Sequence, residues 1–141
     1  MTEPLNWRQI KEMITSFTST VQIPIESYAE ENGWADSFIL DLKRNNAEIK
    51  ATQLRRFFHR VKQIQSRIET TDTFDRSEIA GLMPMLAYAR GRKLIPEDFY
   101  DLMKLCFGSE RCKTKEDFLA SASFLEAVMA YHKYHAGQKE E

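Results

Sequence analysis

The chain has 141 residues, of which 43% are hydrophobic and 29% charged, a balance that fits a folded globular protein and excludes a disordered or fibrous one. One domain of this size buries roughly two thirds of the surface of its unfolded chain, so a core can form without disulfides or a structural metal. No apolar run reaches the ~18 residues that cross a bilayer, and MTEPLNWRQIK lacks the basic start and apolar centre of a signal peptide, so a cytoplasmic protein with no membrane partner is expected.

The formal net charge of −1 conceals an uneven distribution. Residues 1–42 carry 2 Lys/Arg against 7 Asp/Glu, residues 43–93 carry 12 against 5, and residues 94–141 carry 6 against 9. A basic middle flanked by acidic ends means that local charge density, not net charge or pI, bears on partners.

In chain order, Pro4 can open a first helix in which Trp7, Ile10, Ile14 and Phe17 share a face. The β-branched residues and Pro24 of TSFTSTVQIP oppose its continuation. Ile25 to Asn32 is ambiguous, and Gly33 should stop whatever forms there. Trp34, Phe38, Ile39 and Leu42 then mark an amphipathic helix that breaks near Asn45 and Asn46. Ala51 to Glu69 reads as one long helix, followed by a loop, TTDTFD, in which Asp75 and Glu78 are placed as a capping box. Arg76 to Arg92 is apolar at Ile79, Leu82, Met83, Leu86 and Ala87, and Pro84 should kink or divide it.

Pro96, Glu97 and Asp98 suit a first helical turn, Phe99, Leu102, Met103 and Cys106 line its buried side, and Gly108 ends it. Thr114 to Asp117 is a capping box ahead of a last helix to about His135, with Phe118, Ala122, Leu125, Val128, Met129 and His132 on one face. The expected architecture is all-α, a single-domain bundle of five or six helices over residues 1–141, with residues 1–45 its least defined part. Leu54, Phe57, Phe58, Val61, Leu86, Leu125 and Val128 are expected to be buried together.

Catalytic motifs are scarce. There is no Gly-rich phosphate loop, no GxSxG, no HExxH and no Cys/His set with ligand spacing, so neither an enzyme nor a cofactor is expected. Cys106 and Cys112 match neither a zinc knuckle nor a disulfide framework and read as reduced thiols. His132 and His135 lie one helical turn apart, but AVMAYHKYH supplies no carboxylate to complete a metal site. His132 reads as a packed residue with one ring nitrogen bonded, and His135 as fraying near the helix end.

The long helix is the most informative segment. At about 100° per residue, Leu54, Phe57, Phe58, Val61, Ile64 and Ile68 share one stripe. Arg55, Arg56, His59, Arg60, Lys62 and Arg67 occupy the rest, with no carboxylate before Glu69. A second cluster, Arg90, Arg92 and Lys93, closes the next long helical segment, where cations also complement the negative end of the helix dipole. Taken alone, the first run is accounted for as a solvated face and the second in part as this helix-end effect. Two basic patches on neighbouring helices can also join into one stripe that neutralises successive phosphates. The aromatics Phe57, Phe58, Phe99, Phe118 and Tyr131 recur at core spacing and read as core, not as a base-stacking platform.

TQLRRFFHRVKQI, LMPMLAYARGR and FLEAVMAYHKYH, in that order, resemble the small helical subunit of the type III-A CRISPR effector, the Csm complex. The likeness runs from about Thr52 to His135, and the first 45 residues or so carry no matching block. The resemblance implies a subunit without a nuclease centre, stacked in several copies beside the guide RNA. Its partners would be guide RNA, target RNA, other Csm subunits and further copies of itself. It assigns backbone contact to Arg55, Arg56, Arg60, Arg90 and Arg92, while His59, Lys62, Arg67 and Lys93 follow from the helical reading alone. Since guide pairing supplies sequence recognition in such complexes, phosphate and sugar contacts would suffice. Two alternatives belong to other classes, a helical DNA-binding regulator and a protein-protein adaptor whose basic face docks on acidic surfaces. The long TTDTFD connection and the scarcity of Asn and Gln on the basic face weigh against the regulator.

Overall fold

A computed structural model describes residues 4–139 of the chain. Among them it places eight α-helices and one 3₁₀ turn, and six of the helices have nine residues or more. The first, α1 (Trp7–Thr15), starts later than Pro4 suggests because Asn6 caps it. The Asn6 side chain accepts from the Gln9 N–H at 2.9 Å, and Gln9 Oε1 accepts from the Asn6 N–H at 3.0 Å, a reciprocal pair that fixes the boundary. The 3₁₀ turn (Thr20–Gln22) follows. Pro24 then leads into α2 (Ile25–Ala29), so the ambiguous segment is a short helix ending before Gly33. Gly33 instead admits the start of α3 (Trp34–Arg44), since a Cβ there would lie 2.8 Å from the Glu30 carbonyl oxygen and 2.9 Å from that of Ser27.

The long helix α4 (Ala51–Thr71) ends at Asp72, which adopts a left-handed conformation (φ 55°) that Asp tolerates. The expected segment 76–92 is divided into α5 (Arg76–Ala80) and α6 (Leu82–Gly91), with the break at Gly81. Pro84 thereby falls in the first turn of α6, where its missing N–H leaves no intrahelical bond unmade. The buried stripe of Ile79, Leu82 and Leu86 continues through the division to Ala89, and Ala87, contrary to expectation, is exposed. The last two helices are α7 (Glu97–Phe107) and α8 (Lys115–Lys139). Thr114 and Asp117 form the expected box, with Thr114 Oγ1 accepting from the Asp117 N–H and Asp117 Oδ2 from that of Thr114, both at 3.1 Å.

α8 is the axis of the bundle, packing against α2, α3, α4, α7 and the 3₁₀ turn. It therefore buries a wide arc of its surface, through Phe118, Ser121, Ala122, Phe124, Leu125 and Val128. Phe124 stacks on Tyr28 of α2 with centroids 4.6 Å apart. On the opposite flank Phe57 of α4 meets Phe99 and Phe107 of α7 edge-on, at 6.4 and 5.9 Å, and Phe107 reaches Phe118 of α8 at 5.6 Å. Leu54, Phe57, Val61, Leu86, Leu125 and Val128 are all buried as expected, whereas Phe58 lies at the edge, partly exposed.

Polar ties attach α1–α3 to the same core. Arg111, partly desolvated so that its pKa is lowered, donates to the carbonyls of Phe17 (2.5 Å), Ile14 (3.0 Å) and Leu105 (3.0 Å). It thus satisfies the last turn of α1 while holding it to the end of α7. Asp41 Oδ2 of α3 accepts from the Trp7 N–H at 3.0 Å, an anion at the amino end of α1. His135 does not fray. It is buried on α8 with Nε2 2.6 Å from Asp36 Oδ1 of α3, because α8 runs past it and α3 supplies a buried carboxylate for its ring. His132 is half-buried, its Nε2 bonded to the Ile49 carbonyl at 3.1 Å.

Cys106 and Cys112 are free and buried, and desolvation is the main cause that pushes both thiols up to about 12. Each folded-state pKa lies above the unfolded value, so their contribution to stability is complete below about pH 8.5 and is lost as pH rises toward 12. At pH 8 a thiol-specific reagent should therefore leave the native protein unmodified and titrate both cysteines in guanidinium. Rapid native labelling would contradict the burial. Phe57→Ala should destabilise the domain by about 3–5 kcal/mol in denaturant unfolding, the cost of emptying a ring-sized site, and an unchanged midpoint would refute its place in the core.

Candidate nucleic-acid interface

Because Leu54, Phe57, Val61, Ile64 and Ile68 face inward, α4 turns its cationic residues outward. Arg55, Arg56 and His59 are exposed and have no hydrogen-bond or ion-pair partner among the described residues. Lys62 is half-buried along its stem, with Nζ 5.9 Å from the Phe58 ring centroid.

The other two cations of α4 look toward α5. Arg67 Nε donates to Glu78 Oε1 at 2.7 Å and Arg67 Nη1 to Thr73 Oγ1 at 2.8 Å, while Arg60 lies 3.8 Å from the same carboxylate. This changes the reading of Glu78. Asp75 does cap α5, accepting from the Ser77 N–H at 2.9 Å, but Glu78 does not return the bond and the expected box stays half-formed. A charge-assisted bond to a guanidinium outweighs one to a neutral N–H.

The second cluster separates likewise. Arg90 turns toward α7, donating to Glu97 Oε1 at 2.5 Å and lying 5.2 Å from the Tyr100 centroid. Arg92 stays on its own helix, donating to the Tyr88 hydroxyl at 2.9 Å. Lys93 is exposed in a left-handed conformation (φ 61°), uncommon for a residue with a long side chain.

α4 and α6 run antiparallel. The Lys50 N–H donates to the Leu94 carbonyl at 3.1 Å, Gln53 and Phe57 share a crevice with Met85, Leu86 and Ala89, and Arg67 reaches Glu78. The carboxyl end of α6, with Arg92 and Lys93, therefore adjoins the amino end of α4, with Arg55 and Arg56. Sequence reasoning places cations correctly on α4 but misses the acids that engage them, since Glu78 and Glu97 carry signals that fit helix capping equally well. Tyr88, 63% exposed, is also missed, because it lies within an apolar block and its neighbours are core residues.

Among the described residues no group of three or more His, Cys, Asp or Glu is placed to hold a metal ion, and no helix is long and apolar enough to cross a membrane. The family model described as Csm2 Type III-A matches residues 26–138. The chain belongs to this Csm2 Type III-A family. It is accordingly a small subunit of the type III-A Csm complex of CRISPR systems. The match begins within α2, so the family extends about 26 residues further toward the amino terminus than the short sequence blocks do, and takes in all of α3. No curated protein and no solved structure matches the chain.

Glu78 offers a test of the internal pairing in this Csm2 family member. With the Glu78 and Arg67 side chains 20% and 33% exposed, solvent screening places the value of the contact near the lower end for charged hydrogen bonds. Glu78→Gln should cost about 1 kcal/mol in urea unfolding, less at high salt. Unaltered stability at low salt would mean that the contact contributes nothing.

Proposed function

We propose that this subunit contributes a sequence-indifferent RNA-contact surface to the Csm complex, without catalysis of its own, and that several copies stack so that their basic faces form a continuous track. The observation that carries the reading is the set Arg55, Arg56 and His59, exposed and unpaired by any acid in the described fold, on the helix face opposite five buried apolar residues. Arg92 and Lys93, at the adjoining end of α6, extend the surface, and Lys62 and Arg60 flank it. Arg67 and Arg90 are engaged by Glu78 and Glu97 and would reach RNA only by exchanging partners.

Cations at this spacing meet phosphates as point charges or forks and need no base-reading residues. A few such contacts on one copy bind weakly and lose affinity steeply with salt. Copies held in one assembly act multivalently, which turns weak contacts into firm retention of a long strand. Target and guide strands present the same phosphate chemistry, and the target strand is the one the face is proposed to meet.

The experiment is to reconstitute the complex with Arg55→Glu, Arg56→Glu and the double variant, confirm equal incorporation, and measure target-RNA affinity over a salt series. The expected result is weaker binding and a shallower dependence of log K on log[salt], by about one unit per lost phosphate contact. Equal affinity and equal slope would transfer the basic face to a protein-docking role.

A further inference from the structure

Four large apolar or aromatic side chains are conspicuously exposed among the described residues, namely Val21, Ile25, Tyr88 and Tyr134. Tyr88 alone of these has a guanidinium set against it. Arg92, one turn further along α6, donates from Nη1 to the Tyr88 hydroxyl at 2.9 Å, and its central carbon lies 5.8 Å from the ring centroid. The other tyrosines that use their hydroxyls do so within the fold, Tyr28 donating to Ser123 Oγ at 3.1 Å and Tyr131 to the Ala29 carbonyl at 2.8 Å. Tyr88 contributes nothing comparable to packing, and its ring, 63% exposed, is held in one orientation beside the proposed phosphate track.

We propose that Tyr88, oriented by Arg92, is a stacking site for one nucleobase of single-stranded RNA. This rests on the RNA-contact reading given above and adds a contact of a different kind. A base has an aromatic face whatever its identity, so stacking strengthens binding without conferring sequence preference. A ring already fixed by a hydrogen bond loses little conformational freedom when a base settles on it. Arg92 uses one of its five N–H donors on the hydroxyl, leaving others for the phosphate or sugar of the same nucleotide. The site therefore grips a nucleotide at both ends, the ring on the base and the guanidinium on the backbone.

Stacking and phosphate neutralisation respond differently to salt, which separates this inference from the reading beneath it. The full chain is titrated into a short single-stranded RNA carrying 2-aminopurine at alternate positions, over a salt series, as wild type, Tyr88→Leu, Tyr88→Phe and Arg55→Glu/Arg56→Glu. Thermal melts should coincide for wild type and both Tyr88 variants, since the ring is exposed. Wild-type protein should quench the 2-aminopurine fluorescence. Tyr88→Leu should raise Kd roughly 5- to 100-fold and lose the quench while keeping the wild-type salt slope, and Tyr88→Phe, which keeps the ring but not the bond to Arg92, should keep the quench and bind with a Kd between the two. The double arginine variant should instead flatten the slope and keep the residual quench. If Tyr88→Leu binds and quenches like wild type while the arginine variant weakens binding, the stacking site is refuted and the phosphate track stands. If wild-type protein binds no RNA even at low salt, both fail. If Tyr88→Leu leaves RNA binding intact but blocks incorporation into the complex, Tyr88 is a protein contact and the stacking site is likewise refuted.

Discussion

The seating of Phe57 between Phe99 and Phe107 fixes the rotation of α4 about its own axis. Turning that helix by a quarter would withdraw Phe57 from α7 and bring Leu54, Val61, Ile64 and Ile68 toward water, each loss being on the order of 1.5–3 kcal/mol. The sum exceeds anything exposed ion pairs could return. Packing, not electrostatics, therefore decides that Arg55, Arg56 and His59 point into solvent. The same aromatic contacts pass through Phe107 to Phe118, so the helix bearing the cations is referred directly to the axis of the domain.

Around that apolar frame, buried and half-buried polar groups set the positions of the outer helices. Asp36, Asp41 and Arg111 each accept or donate at more than one point, and each joins segments far apart in sequence. Asp36 illustrates the economy of the arrangement, since its two oxygens serve the Asn32 N–H and the His135 ring. Losing one member would leave its buried partners unsatisfied, a larger penalty than the net value of any single bond. Such ties make α1–α3 part of the domain although their helices are short.

Most of the long helices were legible because their signals are local. The period of Leu54, Phe57, Val61, Ile64 and Ile68 and the box at Thr114 require no knowledge of distant residues. What escaped depends on contacts across the fold. Nothing near Glu78 in sequence indicates that Arg67, eleven positions earlier, will claim its carboxylate. His135 reads as a terminal residue until α3 brings Asp36 to it. Ala87 and Ala89 lie on opposite flanks of the stripe formed by Ile79, Leu82 and Leu86, and the packing of α6 against α4 decides that Ala89 is the one covered. For the candidate interface, the sequence shows which residues are cationic, and the fold shows which of them are already engaged.

The bare setting of Arg55, Arg56 and His59 bears on how this surface changes over evolutionary time. A side chain that touches only solvent adds little to folding, so replacing it goes almost unnoticed by the stability threshold that filters most substitutions. Phe57, a neighbour in sequence, is constrained by its fit against other rings whatever the subunit binds. Within a single turn of α4, one position is thus answerable to the fold and those beside it only to whatever meets the surface. The charge of the face can drift or be tuned to a new partner without the bundle having to repack.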